Sequence, residues 1–218
     1  MRLWILFFVM SCLPFSVFAE LPLGQVPPLI ELSGDQGGRI NGESWSSSEL
    51  KGRVFALFYA DPDEADLNNA ASEAIKAEDF DKEKFGSVAV INMAATWLPN
   101  FAIQMKLESK QQDYPNTVYV KDMDKILVQS WNLADHSNDV LIFDRQGKVV
   151  FSVDGQLNQA KIEKMLKALW EQPMEEVSGI GGQLYSGVDC KSIGTFVLRI
   201  ACMGLHPVPC NLMKLGDL

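Results

Sequence analysis

Apolar residues along this chain fall into two kinds of spacing. Phe55 to Tyr59 and Val88-Ala89-Val90-Ile91 are continuous apolar runs, the pattern of central strands covered on both faces. Between them Leu67, Ala70, Ala71, Ala74 and Ile75 recur at helical spacing and predict a helix over residues 63–79, the crossover of a βαβ unit. Phe101, Met105 and Leu107 mark another helix, which must stop at Tyr114-Pro115 because the residue ahead of a proline is pushed out of the helical region. Thr117-Val118-Tyr119-Val120 follows as a strand. Val140-Leu141-Ile142-Phe143 and Lys148 to Val153 read as two more, joined by Asp144-Arg145-Gln146-Gly147, a hairpin turn with Gly where positive φ is wanted. Asn158 is a favourable N-cap for a last helix, whose Ile162, Met165, Leu166 and Leu169 form one apolar stripe. Ahead of these elements, Leu29-Ile30-Glu31-Leu32 reads as a short edge strand closed by the turn residues Ser33-Gly34-Asp35 and Gly37-Gly38, and Ser46 to Gly52 as a short helical turn.

Two parallel strands joined through a helix, then an antiparallel hairpin and a closing helix, is the order of a thioredoxin-like fold. The class is α/β: a central mixed sheet flanked by helices, here with an N-terminal extension and an irregular C-terminal tail. Smaller pieces agree with that order. Leu107-Glu108-Ser109-Lys110, Tyr114-Pro115, Trp131-Asn132-Leu133, Asp144-x-x-Gly147-Lys148-Val149 and Gly155-x-Leu157 together resemble the YtfJ family of exported thioredoxin-fold proteins, from Gly24 to Trp170. The resemblance implies a Gram-negative periplasm and a thioredoxin-like fold, and it implies no reaction. A view of that family as transcriptional regulators is opposed here by export and acidity. One departure is visible: an acidic pair is expected after Asn92, and this chain has Ala94-Ala95.

The two ends differ from the middle. Residues 1–19 have the form of an export signal, with Arg2, an apolar core from Leu3 to Val9, and Val17-Phe18-Ala19 as a cleavage site. Pro14 breaks that apolar stretch, which is too short to span a bilayer, and no later segment reaches spanning length. A lipid-attachment reading of Val9-Met10-Ser11-Cys12 fits less well. Export places the protein in the periplasm and leaves residues 20–172 as the thioredoxin-like domain and 173–218 as a low-order extension. The chain carries 19 basic against 28 acidic residues, net −9, which disfavours nucleic acid because that affinity comes mostly from Lys and Arg. Loss of Arg2 with the signal makes the balance more negative. All three cysteines beyond the signal, Cys190, Cys202 and Cys210, lie in the extension, where they allow one internal disulfide and leave one thiol over. With His206 they reach four zinc donors, but at irregular spacing, and no metal site is expected there.

The stretch Phe58-Tyr59-Ala60-Asp61-Pro62-Asp63-Glu64-Ala65-Asp66 stands where a thioredoxin keeps its two redox cysteines, and Asp63 and Asp66 take their positions. Exchange needs a thiolate to attack sulfur and a second sulfur to resolve the mixed disulfide, and a carboxylate does neither. The usual cis-proline before the first hairpin strand is also missing, replaced by Ser137-Asn138-Asp139. The acidic residues are read first as helix capping, with Asp61 as N-cap and Pro62 behind it. A calcium loop counted from Asp61 fails, since Asp66 and Ser72 stand where Gly and Glu are needed.

His136, beside Asp135 in a polar loop, has the chemistry of a general base but no nucleophile placed with it, and is read as surface. Trp45, Trp97, Trp131, Tyr59 and Tyr114 could line a peptide-binding edge; core packing is the preferred reading for aromatics in a domain of this size. Any binding edge is expected where loops converge at the C-terminal ends of the strands, around Asp61, Asp63, Glu64, Asp66, Trp97, His136 and Ser137. The expected function is therefore that of an exported non-redox binding or accessory module, without cofactor or metal, whose partner is an envelope protein or small ligand. The alternative is an enzyme using the tail cysteines or the His136 loop; DNA regulation is the weakest reading.

Overall fold

The computed structural model describes residues 21–173. The expected export signal and all of the extension beyond Pro173, with its cysteines, lie outside the described residues. Eight strands and four helices follow in the order β1 (Glu31–Leu32), β2 (Gly37–Arg39), β3 (Trp45–Ser46), β4 (Val54–Ala60), α1 (Asn69–Ala77), β5 (Phe85–Asn92), α2 (Asn100–Asp113), β6 (Thr117–Asp122), α3 (Ile126–Trp131), β7 (Asn138–Phe143), β8 (Val149–Val153) and α4 (Gln159–Trp170). Six strands form one mixed sheet in the order β2-β6-β5-β4-β7-β8, with β4, β5 and β6 parallel and β7, β8 and β2 antiparallel to their neighbours. The βαβ unit feeding an antiparallel hairpin and a closing helix is the thioredoxin-like topology. β1 and β3 pair separately as a small two-stranded sheet.

Burial explains the element types. β4 and β7 are covered on both faces, so they read as continuous apolar runs. One face carries Leu57, Tyr59, Val88, Val90 and Leu141 under α3 and the β1–β3 hairpin, with Trp45 and Trp131 packed in. On the other face α1 and α4 cover Ala56, Val140 and Ile142 through Ile75, Ile162, Met165 and Leu169. There α2 covers Ile91 and Tyr119 through Ile103 and Leu107.

Three expectations need correction. The edge strand is β2, at the glycines expected to form a turn, whereas Glu31–Leu32 joins the small sheet. At Gly37, φ is 123° and an added Cβ would stand 1.9 Å from the Lys121 carbonyl oxygen, so the strand exists because a side chain is absent. The helix predicted from residue 63 begins only at Asn69, after a single 3-10 turn at Pro62–Glu64. The chain bends between them to turn the Asn68 side chain inward, where it makes no cap of its own helix. Finally α2 packs through Ile103 and Leu107, leaving Phe101 and Met105 exposed on its open side.

Candidate functional site

The segment after β4 is anchored before it is exposed. The Asp61 backbone N–H donates to the Ser137 carbonyl at 2.8 Å, tying the end of β4 to the residue ahead of β7. The Asp61 side chain is only 4 % exposed. Its Oδ1 accepts from the Asp63 N–H at 2.8 Å, the expected N-cap bond, while Oδ2 lies 3.2 Å from His136 Nδ1. Behind this, the Asn68 Nδ2 donates to the Asn138 carbonyl at 3.0 Å and the Gly155 carbonyl at 3.1 Å, and its Oδ1 accepts from the Leu157 N–H at 2.9 Å. Asn138 Nδ2 donates in turn to the Glu64 carbonyl at 3.1 Å. Two buried amides thus fix the acidic turn against β7 and the loop into α4, and Asn68 was not expected as part of the site.

The carboxylates of the turn divide by burial. Asp61 faces inward; Asp63, Glu64 and Asp66 face solvent. Asp63 Oδ2 accepts from Thr96 Oγ1 at 2.9 Å, which joins the acidic turn to the loop after β5. Asp66 accepts from Asn69 Nδ2 at 3.0 Å and from Lys110 Nζ at 3.4 Å, and these contacts hold its carboxyl below the usual carboxylate range. Beyond Thr96, the Trp97 side chain is 87 % exposed. On α2, Phe101 at 69 % and Met105 at 66 % are also exposed, four residues apart on one helix face.

The third loop carries His136, with φ 55° in the left-handed region that non-glycine residues seldom adopt. Its ring sits between Asp61 and Asp135: Nε2 is 3.8 Å from Asp135 Oδ2. Burial alone would raise the Asp135 carboxyl; Lys125 Nζ at 2.6 Å and Asn92 Nδ2 at 3.0 Å outweigh it and hold that group below its ordinary value. Ser137 Oγ donates to Asp154. Beneath the loop Tyr59 donates to Asp122 Oδ2 at 3.1 Å; burial, then the Asp122 charge, pushes its phenol strongly up and keeps it neutral. Asp122 also receives the Ile126 and Leu127 N–H groups at 2.9 and 3.0 Å, the start of α3.

Residues expected at the edge from sequence are therefore found on three adjoining loops. Direct contacts join Asp61 with Asp63 and His136, and Asp63 with the loop of Trp97; Ser137 binds the Asp61 backbone but turns its hydroxyl to Asp154. The core reading holds for Trp45, Trp131 and Tyr59 and fails for Trp97. Surface is an incomplete description of His136, whose exposed ring touches a buried carboxylate. Chemically, the rim offers exposed carboxylates, an oriented imidazole and the exposed Trp97. Residues 21–173 contain no cysteine. No cluster of three or more His, Cys, Asp or Glu with metal-ligand geometry is found among the described residues.

A family described as "Bacterial protein of unknown function (YtfJ_HI0045)" matches residues 27–172. The "Uncharacterized protein YtfJ" of Escherichia coli (strain K12) is 25 % identical over 175 residues, spanning 73 % of this chain and 93 % of that protein. An "Uncharacterized protein" of Haemophilus influenzae is 25 % identical over 128 residues, spanning 57 % of this chain and 69 % of the relative. Among solved structures, a thiol-disulfide isomerase of Corynebacterium glutamicum shares 16 % identity at a TM-score of 0.49, covering 67 % of this chain and 97 % of that one. An exposed lipoprotein thioredoxin of Streptococcus pneumoniae shares 19 % identity at a TM-score of 0.45, with 64 % and 98 % covered.

Proposed function

Because the chain belongs to the YtfJ_HI0045 family of bacterial proteins of unknown function, we propose that it acts as a non-redox binding module of the bacterial envelope. One observation carries this reading. The turn after β4, where thiols would have to stand for exchange, carries Asp63 and Asp66 instead, and Asp63 is bonded to Thr96 in the loop of the exposed Trp97. Carboxylates cannot attack a disulfide, whereas an acidic rim beside an exposed indole is suited to recognition, with aromatic contact area at low entropy cost. Export is supported by the signal pattern of residues 1–19, and the net charge of −9 argues against a nucleic-acid partner.

A photoreactive phenylalanine analogue placed at Trp97, compared with one at the exposed Leu29, tests both parts in the source bacterium. The expected result is a processed, periplasmic chain that forms a discrete adduct from position 97 and none from position 29. Adducts that do not depend on position, or an unprocessed cytoplasmic chain, contradict it. A second reading, acid–base chemistry, is favoured by the Asp61 contact on His136 Nδ1 in a largely exposed ring whose Nε2 lies 3.8 Å from Asp135 Oδ2. It predicts a partner whose chemical conversion stops in His136→Gln while its binding persists.

A further inference from the structure

The sheet face that carries α1 and α2 is covered unevenly. Its apolar residues form two separate clusters, one under α1 and α4 and one under α2. Between them β5 presents Ser87 and Ala89, both half-buried, while Val88 and Val90 on the opposite face are buried. A strand with parallel neighbours ordinarily carries large apolar side chains on both faces. Two small residues in alternate positions leave instead a groove of about 380 Å³ floored by Phe58, Ala89, Ile91, Leu107 and Tyr119. That volume lies within the range of small-molecule sites, roughly 300–1,000 Å³.

The groove is bridged and its rim is charged. Tyr114 donates to Glu73 and Lys110 Nζ lies 3.4 Å from Asp66 Oδ1, linking α2 to the α1 side, and Lys76 Nζ sits 4.6 Å from the centre of the Tyr114 ring. Where β4 and β5 begin, Arg53 and Lys82 both line the groove; Arg53 Nη1 donates to the Lys82 carbonyl at 2.7 Å, and its guanidinium lies 5.0 Å from the centre of the Phe55 ring. Among the described residues neither is in an ion pair. Four cations line the groove, Arg53, Lys76, Lys82 and Lys110, against Asp79 and Asp113, although the chain as a whole is net −9.

We propose that this groove binds a single-chain anionic amphiphile, its carboxylate or phosphate head at Arg53 and Lys82 and its tail on Ala89, Phe58 and Leu107. A guanidinium with open donors suits an oxyanion, and the half-covered floor gains by losing its contact with water. The groove reaches the acidic turn at Ala60, Ala65, Asn68 and Asn138, but neither Asp63 nor Trp97 lines it, and the proposal stands whether or not their rim binds a protein.

Calorimetric titration of the full chain with dodecanoate, dodecyl phosphate and dodecyltrimethylammonium, each below its micelle concentration, tests this. One saturable site for at least one anion is expected, at least about tenfold tighter than the cation. Arg53→Gln with Lys82→Gln should weaken the anion about tenfold and leave the cation unchanged. Ala89→Leu should abolish binding by filling the floor, and Trp97→Ala should not alter it. Preference for dodecanoate or for dodecyl phosphate then distinguishes a fatty acid from a phosphate-headed lipid. Absence of a saturable site for both anions, equal affinity for the cation, or anion affinity unchanged in the rim double variant overturns the proposal. The double variant alters only the rim, so it decides the matter even if Ala89→Leu fails to fold.

Discussion

Asn68 carries more of the site than any residue of the acidic turn itself, and Asn68→Ala measures how much. Its side chain is buried and contributes two donated bonds to backbone carbonyls, at 3.0 and 3.1 Å, and one accepted from the Leu157 N–H at 2.9 Å. Truncation orphans a buried amide, at roughly 1–3 kcal/mol, and removes two further neutral bonds at about 1 kcal/mol in total once water reaches the carbonyls. The expected loss is therefore about 3 kcal/mol, or roughly 10 °C in Tm at 2–4 °C per kcal/mol for a domain of this size. Urea unfolding followed by fluorescence of the buried Trp45 and Trp131 reads it, with an unchanged m-value. Asn69→Ala is the control, since its exposed amide reaches only Asp66, and should stay within about 0.5 kcal/mol of the parent. A loss below about 1 kcal/mol for Asn68→Ala, with m unchanged, would refute the argument that this amide holds the turn to β7 and the α4 loop.

Gly37→Ala should cost several kcal/mol, roughly 2–4, because an added Cβ meets the Lys121 carbonyl oxygen at 1.9 Å in a left-handed backbone. Hydrogen exchange should then show the β2–β6 amides opening ahead of the β4–β5 amides. The depressed carboxyl of Asp135 contributes stability above its unfolded pKa, about 4, that is lost as pH falls through the lower folded value. Lys125→Met should accordingly destabilise at neutral pH by under about 1 kcal/mol, the pair being partly solvated, and the gap between variant and parent in urea melts should close toward pH 3.

How legible the molecule is from its residues depends on how local the cause is. β4 and the β7–β8 hairpin announce themselves because burial on both faces, or a Gly at positive φ, leaves a mark within a few residues, and β5 does so through its buried Val88, Val90 and Ile91. β2 does not, because its cause is the close approach of another strand's carbonyl. The late start of α1 is set by partners of Asn68 some 70 to 89 positions away. Likewise Asp61 and His136 meet across 75 positions. Trp97 is misread as core because hydrophobicity alone does not say which way a loop residue points; within α2 the four-residue spacing of Phe101 and Met105, opposite Ile103 and Leu107, is the signal that separates the two faces. Ser87 and Ala89 are visible in the sequence as small residues in a strand, but their meaning depends on the gap between two helices.

The central claim, that the chain does not catalyse thiol exchange, is tested most directly by insulin reduction with dithiothreitol, using the chain with Cys190, Cys202 and Cys210 intact. The account predicts precipitation at the rate of dithiothreitol alone, unchanged by Cys190→Ser. Catalysed turnover that disappears in Cys190→Ser would contradict it.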